Sequence, residues 1–131
     1  MAAIPAAYRD LLGAPTTVSL ATLLPSGQPQ VTPVWCDLDG DHIRINTAKG
    51  RQKHKDMLAD PRVTVLAVDP TNSYRYIEVR GTVVRIEEAG AAEHADNLAK
   101  EYMGADKYRL YRPEGQRVIC YIEAQRVLAQ G

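Results

Sequence analysis

Several absences narrow the field before any motif is considered. Lys and Arg number 16 and Asp and Glu also 16, so no global field draws the chain to nucleic acid or to an anionic membrane, and any electrostatic site must be local. No apolar run approaches the ~20 residues that span a bilayer. The opening residues Met1 to Tyr8 lack the basic segment and long apolar core of a signal peptide. A cytoplasmic protein away from membranes is the expectation. The two cysteines, Cys36 and Cys120, lie far apart in strand-like apolar segments without CxxC or Cys/His spacing. Both are expected to be reduced core residues, with neither a disulfide nor a metal site. There is no Ser/His/Asp or Cys/His arrangement, no paired-carboxylate motif, no GxGxxG and no Walker loop. Hydrolytic chemistry has no visible machinery.

What is present fits one domain over residues 1–131, long enough to bury a single core but not two. Ile4 to Leu12 carries apolar residues at helical intervals and stops at Gly13 and Pro15, which predicts a short lid helix. Thr17 to Leu24 alternates and turns at Pro25-Ser26-Gly27. Its partner, Gln28 to Leu38, holds Pro29 and Pro33, which cannot donate to a ladder, so an edge or interrupted strand is expected. Asp39-Gly40 leads into the alternating strand His42 to Thr47, with Ile43 and Ile45 inward. A short helix ends at Asp60-Pro61. Val63 to Val68 is nearly continuously apolar, as a strand covered on both faces would be.

In the long strand Tyr74 to Glu87 the apolar parity switches near Gly81, from Ile77, Val79 and Val83 to Val84 and Ile86, which predicts a β-bulge. Ala91 to Met103 is amphipathic and ends at Gly104, while 105–116 reads as a loop. The last strand, Arg117 to Glu123, is apolar on both faces. A homodimer interface and a fully buried central strand explain that equally well.

Three segments could carry chemistry. Asn46-Thr-Ala-Lys-Gly-Arg-Gln-Lys-His-Lys55 leaves a strand, turns at Gly50 and enters a helix start, bringing Lys49, Arg51, Lys53 and Lys55 to free N–H groups. That combination suits a phosphate, although Lys and Arg also decorate ordinary solvated helices. His54 reads as a packing residue. Around Gln30, Val31, Thr32 and Pro33 the prolines leave backbone groups that could meet the edge of a planar heterocycle, or merely protect an edge strand. Trp35 reads as core. Ser73 to Tyr76 and Tyr108 to Arg112 are rich in Tyr and Arg, suited to a flat anionic ligand or to an interface rim.

Ala21-Thr-Leu, Gly27-Gln-Pro-Gln-Val-Thr-Pro-Val-Trp35, Asp39-Gly-Asp, Ile45-Asn-Thr-Ala-Lys-Gly-Arg51 and Asp60-Pro-Arg-Val63 together resemble the pyridoxamine 5'-phosphate oxidase-like superfamily. With Tyr74-Arg-Tyr-Ile-Glu-Val-Arg-Gly81 and Arg126-Val127, the chain is similar to that superfamily's actinobacterial branch of coenzyme F420-dependent reductases.

The resemblance implies a mainly β (α+β) fold, a six-stranded antiparallel split β-barrel with a few short helices, assembled as a homodimer with cofactor sites at the interface. It implies that Gln30, Val31, Thr32 and Pro33 contact the ring, that Asn46, Thr47, Ala48 and Lys49 line the ribityl-like chain, and that Arg51 and Lys53 bind phosphate. Tyr74 would arrive from the partner subunit. The implied reaction is hydride transfer from reduced coenzyme F420 to a small conjugated organic substrate, with FMN as the alternative cofactor and no assigned catalytic side chain. A carrier without turnover is a different class of function that the same contacts allow. Single-stranded nucleic-acid binding is a third, and zero net charge argues against it.

Overall fold

A computed structural model describes residues 1–104 and 116–131; the Tyr108 to Arg112 segment and most of the expected 105–116 loop lie outside the described residues. The order of elements is a 3₁₀ helix (Ala6–Leu11), β1 (Val18–Leu23), β2 (Pro29–Val34), β3 (Cys36–Asp39), β4 (His42–Ala48), α1 (Gln52–Ala59), β5 (Arg62–Asp69), β6 (Asn72–Glu87), α2 (Ala91–Met103) and β7 (Arg117–Gln130). The seven strands form one antiparallel sheet in the order β2-β1-β5-β6-β7-β4-β3.

That order curls the sheet into a split barrel. β2 and β3 sit at opposite ends of the sheet, yet Trp35 alone separates them in sequence, so the sheet curls until its two edges meet at that residue. The count is seven instead of six because the proline-bearing segment breaks there. Pro33 stands opposite Ser19 and Pro29 opposite Leu23 on the sheet's edge strand, where a missing N–H costs no ladder bond on the open side.

Alternation fills the interior with Val18 and Leu20, Ile43 and Ile45, Val63, Val65 and Ala67, Ile77 and Val79, and Val118, Cys120 and Ile122. Ile4, Leu11 and Leu12 plug one end, but through a 3₁₀ helix and not an α-helix. Arg75 fixes that plug: its guanidinium donates to Asp10, Asp69 and the Ala7 carbonyl and lies over the Tyr8 ring. Cys36 and Cys120 are free and buried, both opposite Ile45 in the ladders on either side of β4.

The parity switch in β6 is real, but its residues differ from expectation. β6 carries one extra residue between Val83 and Arg85, and this is Val84 itself, 49 % exposed and not inward. Near Gly81 the extra residue belongs to β7, between Ala124 and Arg126. There the strands approach so closely that a Cβ on Gly81 would sit 2.6 Å from the Glu123 carbonyl oxygen.

Burial decides between the two alternatives for β7 and reverses the expectation for β5. The outer residues of β7, Ile119 and Tyr121, are buried beside Ala91 of α2, so this chain covers both faces of β7 and that strand gives no argument for a dimer. On β5 the outer residues Leu66 and Val68 are open, at 36 % and 38 % exposure, instead of covered. No helix among the described residues is long and apolar enough to cross a membrane.

Candidate cofactor site

Where β4 runs out, four other segments converge to leave a cleft of about 550 Å³. Pro33, Val34 and Trp35 come from the corner between β2 and β3, Asn46 and Thr47 from β4, Arg51 and Lys53 from the start of α1. Ala95, Leu98 and Met103 of α2 form an apolar wall, and Arg117, the first residue of β7, supplies a third cation. One end of the cleft is therefore cationic and the other apolar and aromatic, with no carboxylate among the described lining residues.

The cationic end is strained electrostatically. Lys53 is half-buried, and its burial, then the guanidiniums of Arg51 and Arg117, lowers its pKa below the ordinary lysine value. α1 starts without a side-chain cap, since Arg51 at the cap position offers no acceptor, so the N–H groups of the first turn remain available beside these charges. The helix pole adds partial positive charge of its own.

Asn46 organises the floor. Its Nδ2 donates to the Ala91 carbonyl at 2.7 Å and faces His94 Nδ1 at 3.1 Å, while its Oδ1 accepts from Arg117 Nε at 2.8 Å. Arg117 can only donate, which fixes the amide's orientation. His94 Nε2 then carries the proton toward Asp37, which also receives two bonds from Arg44 at 2.8 and 2.7 Å. Against the burial that raises it, hydrogen bonds from His94 and Arg44 hold the Asp37 carboxyl below the usual carboxylate range.

Five of the eleven expected site residues line the cleft: Pro33, Asn46, Thr47, Arg51 and Lys53. Gln30, Val31, Thr32 and Ala48 belong to the same strands but not to its lining. Lys49 pairs instead with Glu88, just before α2. Tyr74 is 78 % exposed in β6 and outside the cleft, and its neighbour Arg75 holds the 3₁₀ helix. Two buried polar atoms have no hydrogen-bond partner among the described residues, Gln30 Oε1 and Thr47 Oγ1.

Sequence reasoning missed the apolar wall, Arg117 and the role of Trp35. Trp35 is half-buried and stacks on Tyr102, centroids 5.0 Å apart and planes 10° from parallel. The Tyr102 hydroxyl lies 2.9 Å from the Cys36 carbonyl and accepts from the Cys36 amide, so the stack sits on the backbone just past the break between β2 and β3. The Cys36 thiol is no candidate nucleophile: burial, reinforced by Asp37, pushes its pKa up to about 12.

The family model described as pyridoxamine 5'-phosphate oxidase matches residues 4–131. The chain belongs to this family. A solved structure described as an F420 reductase is 33 % identical, with a TM-score of 0.83 over 95 % of this chain and 98 % of that one. A conserved hypothetical protein from Mycobacterium tuberculosis is 26 % identical, with a TM-score of 0.77 over 99 % of this chain and 86 % of its own. A heme binding protein from Mycobacterium smegmatis shares the fold at 22 % identity and a TM-score of 0.69, covering 99 % of this chain and 56 % of that one. No curated protein matches. Members of this family bind flavin-type cofactors.

Proposed function

We propose that this chain is a deazaflavin-dependent oxidoreductase, one domain over residues 1–131, that holds coenzyme F420 in the cleft between β2, β4 and α1. The observation that carries the reading is Thr47 Oγ1, in a residue 2 % exposed, without a partner among the described residues and at a cleft ringed by Arg51, Lys53 and Arg117. A buried hydroxyl without a partner costs about 1–3 kcal/mol, and a bound polar chain removes that cost. The three cations would hold the phosphate, and Trp35, Val34 and Pro33 the apolar end of the ligand. The choice of deazaflavin over FMN is supported by the likeness to the F420 reductase.

A bound deazaflavin supplies hydride chemistry toward an activated double bond or a conjugated carbonyl, and the rest falls to the chain. Its part is to bind, to orient and to exclude water, since the described lining residues include no cysteine, histidine or carboxylate. FMN is the second reading, and the cluster of three cations favours it, since FMN ends in a doubly charged phosphomonoester.

A second copy of the chain would complete the site. Pro33, Ser19, Leu66, Glu78 and Leu128 form a directly paired row across the outer face of β2, β1, β5, β6 and β7, and Pro33 also lines the cleft. Val31 and Val68 lie open on neighbouring rows, so the uncovered apolar face runs to the edge of the cleft. A solution mass twice that of the 14.5 kDa chain tests this directly.

Mass spectrometry of the cofactor released from protein made in a host that synthesises both FMN and coenzyme F420 tests the assignment. Recovery of F420 supports the deazaflavin reading, and FMN alone overturns it. Anaerobic mixing with reduced coenzyme and a panel of enones and quinones then separates a reductase, which oxidises the coenzyme, from a carrier, which does not.

A further inference from the structure

The turn that carries Arg51 into the cleft is held by three N–H donors. Lys49 donates to the Gln116 carbonyl at 2.7 Å, Arg51 to the Ala48 carbonyl at 3.2 Å, and Gly50 to the Nδ1 of His54 at 3.0 Å. The third alone depends on a side chain. A backbone amide can only donate, so His54 Nδ1 must present a lone pair and the ring must be neutral, with its proton on Nε2. His54 is the third residue of α1 and 5 % exposed, and its acceptor reaches back past the cap as the third-position Glu or Gln of a capping box does. Gly50 has a φ of +90°, a conformation other residues rarely adopt, so this turn has one geometry that suits it.

We propose that His54 is a positioning residue for the anion end of the cleft: its neutral ring fixes the Lys49-Gly50-Arg51 turn, and its protonation releases the turn and weakens anion binding. This rests on the reading of the cleft as an anion site. A proton on Nδ1 would set donor against donor at the Gly50 amide. It would also add a positive charge among Lys49, Arg51, Lys53 and Lys55. Glu88 is the opposing charge, and it is already engaged by Lys49. Asp56, also on α1, is taken up by Thr22 and Gln52, and β1, on which α1 packs, carries no titratable group. Burial first, then Lys49, lowers the His54 pKa below its ordinary 6.5, so the ring is neutral at neutral pH and charges only in the acid range.

The test is an NMR titration with sulfate, which stays a dianion from pH 7.5 to pH 5.0, on the wild-type chain, His54→Gln and Arg51→Ala plus Lys53→Ala. Gln keeps the acceptor and cannot titrate. Wild-type affinity is expected to fall at least about five-fold on acidification, with the Gly50 amide moving in step with the His54 ring, while His54→Gln stays level. Affinity that holds or rises in the wild type, an equal fall in His54→Gln, or a Gly50 amide indifferent to the His54 titration overturns the proposal. Sulfate binding unchanged in the double variant overturns the cleft reading itself, and the proposal with it.

Discussion

Arg117 Nε donates to Asn46 Oδ1 at 2.8 Å, tying the first residue of β7 to β4 on the floor of the cleft. One amide thereby aligns a cation of the site, the start of α2 through the Ala91 carbonyl, and the buried His94. Asn46→Leu keeps the bulk and removes every bond. It strips Arg117 Nε, His94 Nδ1 and the Ala91 carbonyl of their bonds to Asn46, and is expected to cost about 2–4 kcal/mol in urea denaturation. Weakened cofactor binding should accompany it, because Arg117 loses its bond to β4.

Thr47→Val separates the two roles a buried threonine can have. Among the described residues Oγ1 has no partner, so replacing it by a methyl of the same shape should leave stability unchanged or raise it. Ligand affinity should fall about five- to ten-fold, the loss of one neutral hydrogen bond. Equal affinity for both proteins would mean that the hydroxyl does not face the ligand.

Lys53→Met should trade function for stability. Folding places the Lys53 ammonium beside Arg51 and Arg117 in a half-buried position, which lowers its pKa. A lysine whose folded pKa lies below its unfolded value destabilises the fold while charged, and the cost fades as pH rises through the folded value toward the unfolded one. The variant should therefore melt about 1–3 °C higher at neutral pH, with the gap narrowing toward alkaline pH. Cofactor affinity should fall about 10–100-fold, as expected when a charge-assisted contact is removed.

Asp37 gives a pH signature of the opposite sign. Its folded pKa lies below the ordinary 3.8, so its contribution is complete above that value and is lost as pH falls through the folded pKa. Asp37→Asn should lower stability at pH 7, where His94 and Arg44 lose their carboxylate. It should also flatten the decline of stability below about pH 4 relative to wild type. Thermal melts from pH 3 to pH 7 measure both effects.

Much of the barrel was legible because period-two alternation survives wherever one face meets the core, as at Ile43 and Ile45 or Val118, Cys120 and Ile122. The prolines correctly marked an interrupted edge, and the apolar parity of β6 marked a bulge. What alternation cannot reveal is who covers an outer face. Leu66 and Val68 look the same in sequence as Ile119 and Tyr121, yet α2 of the same chain reaches only the second pair. The basic turn announced Arg51 and Lys53 through local charge density. Arg117 stayed hidden because its place depends on the pairing of Ala48 with Arg117 across 69 positions of sequence. Thr47 belongs to the segment of the basic turn, but its hydroxyl without a partner among the described residues exists only once the sheet has curled.

Trp35 is the chain's single tryptophan and lines the cleft, so its fluorescence tests the central claim directly. Titration of wild type with coenzyme F420 should quench that emission saturably, with affinity falling about 100-fold or more in Arg51→Ala plus Lys53→Ala. Quenching of equal affinity in the double variant, or none in wild type with either F420 or FMN, would contradict a flavin-type cofactor held in this cleft.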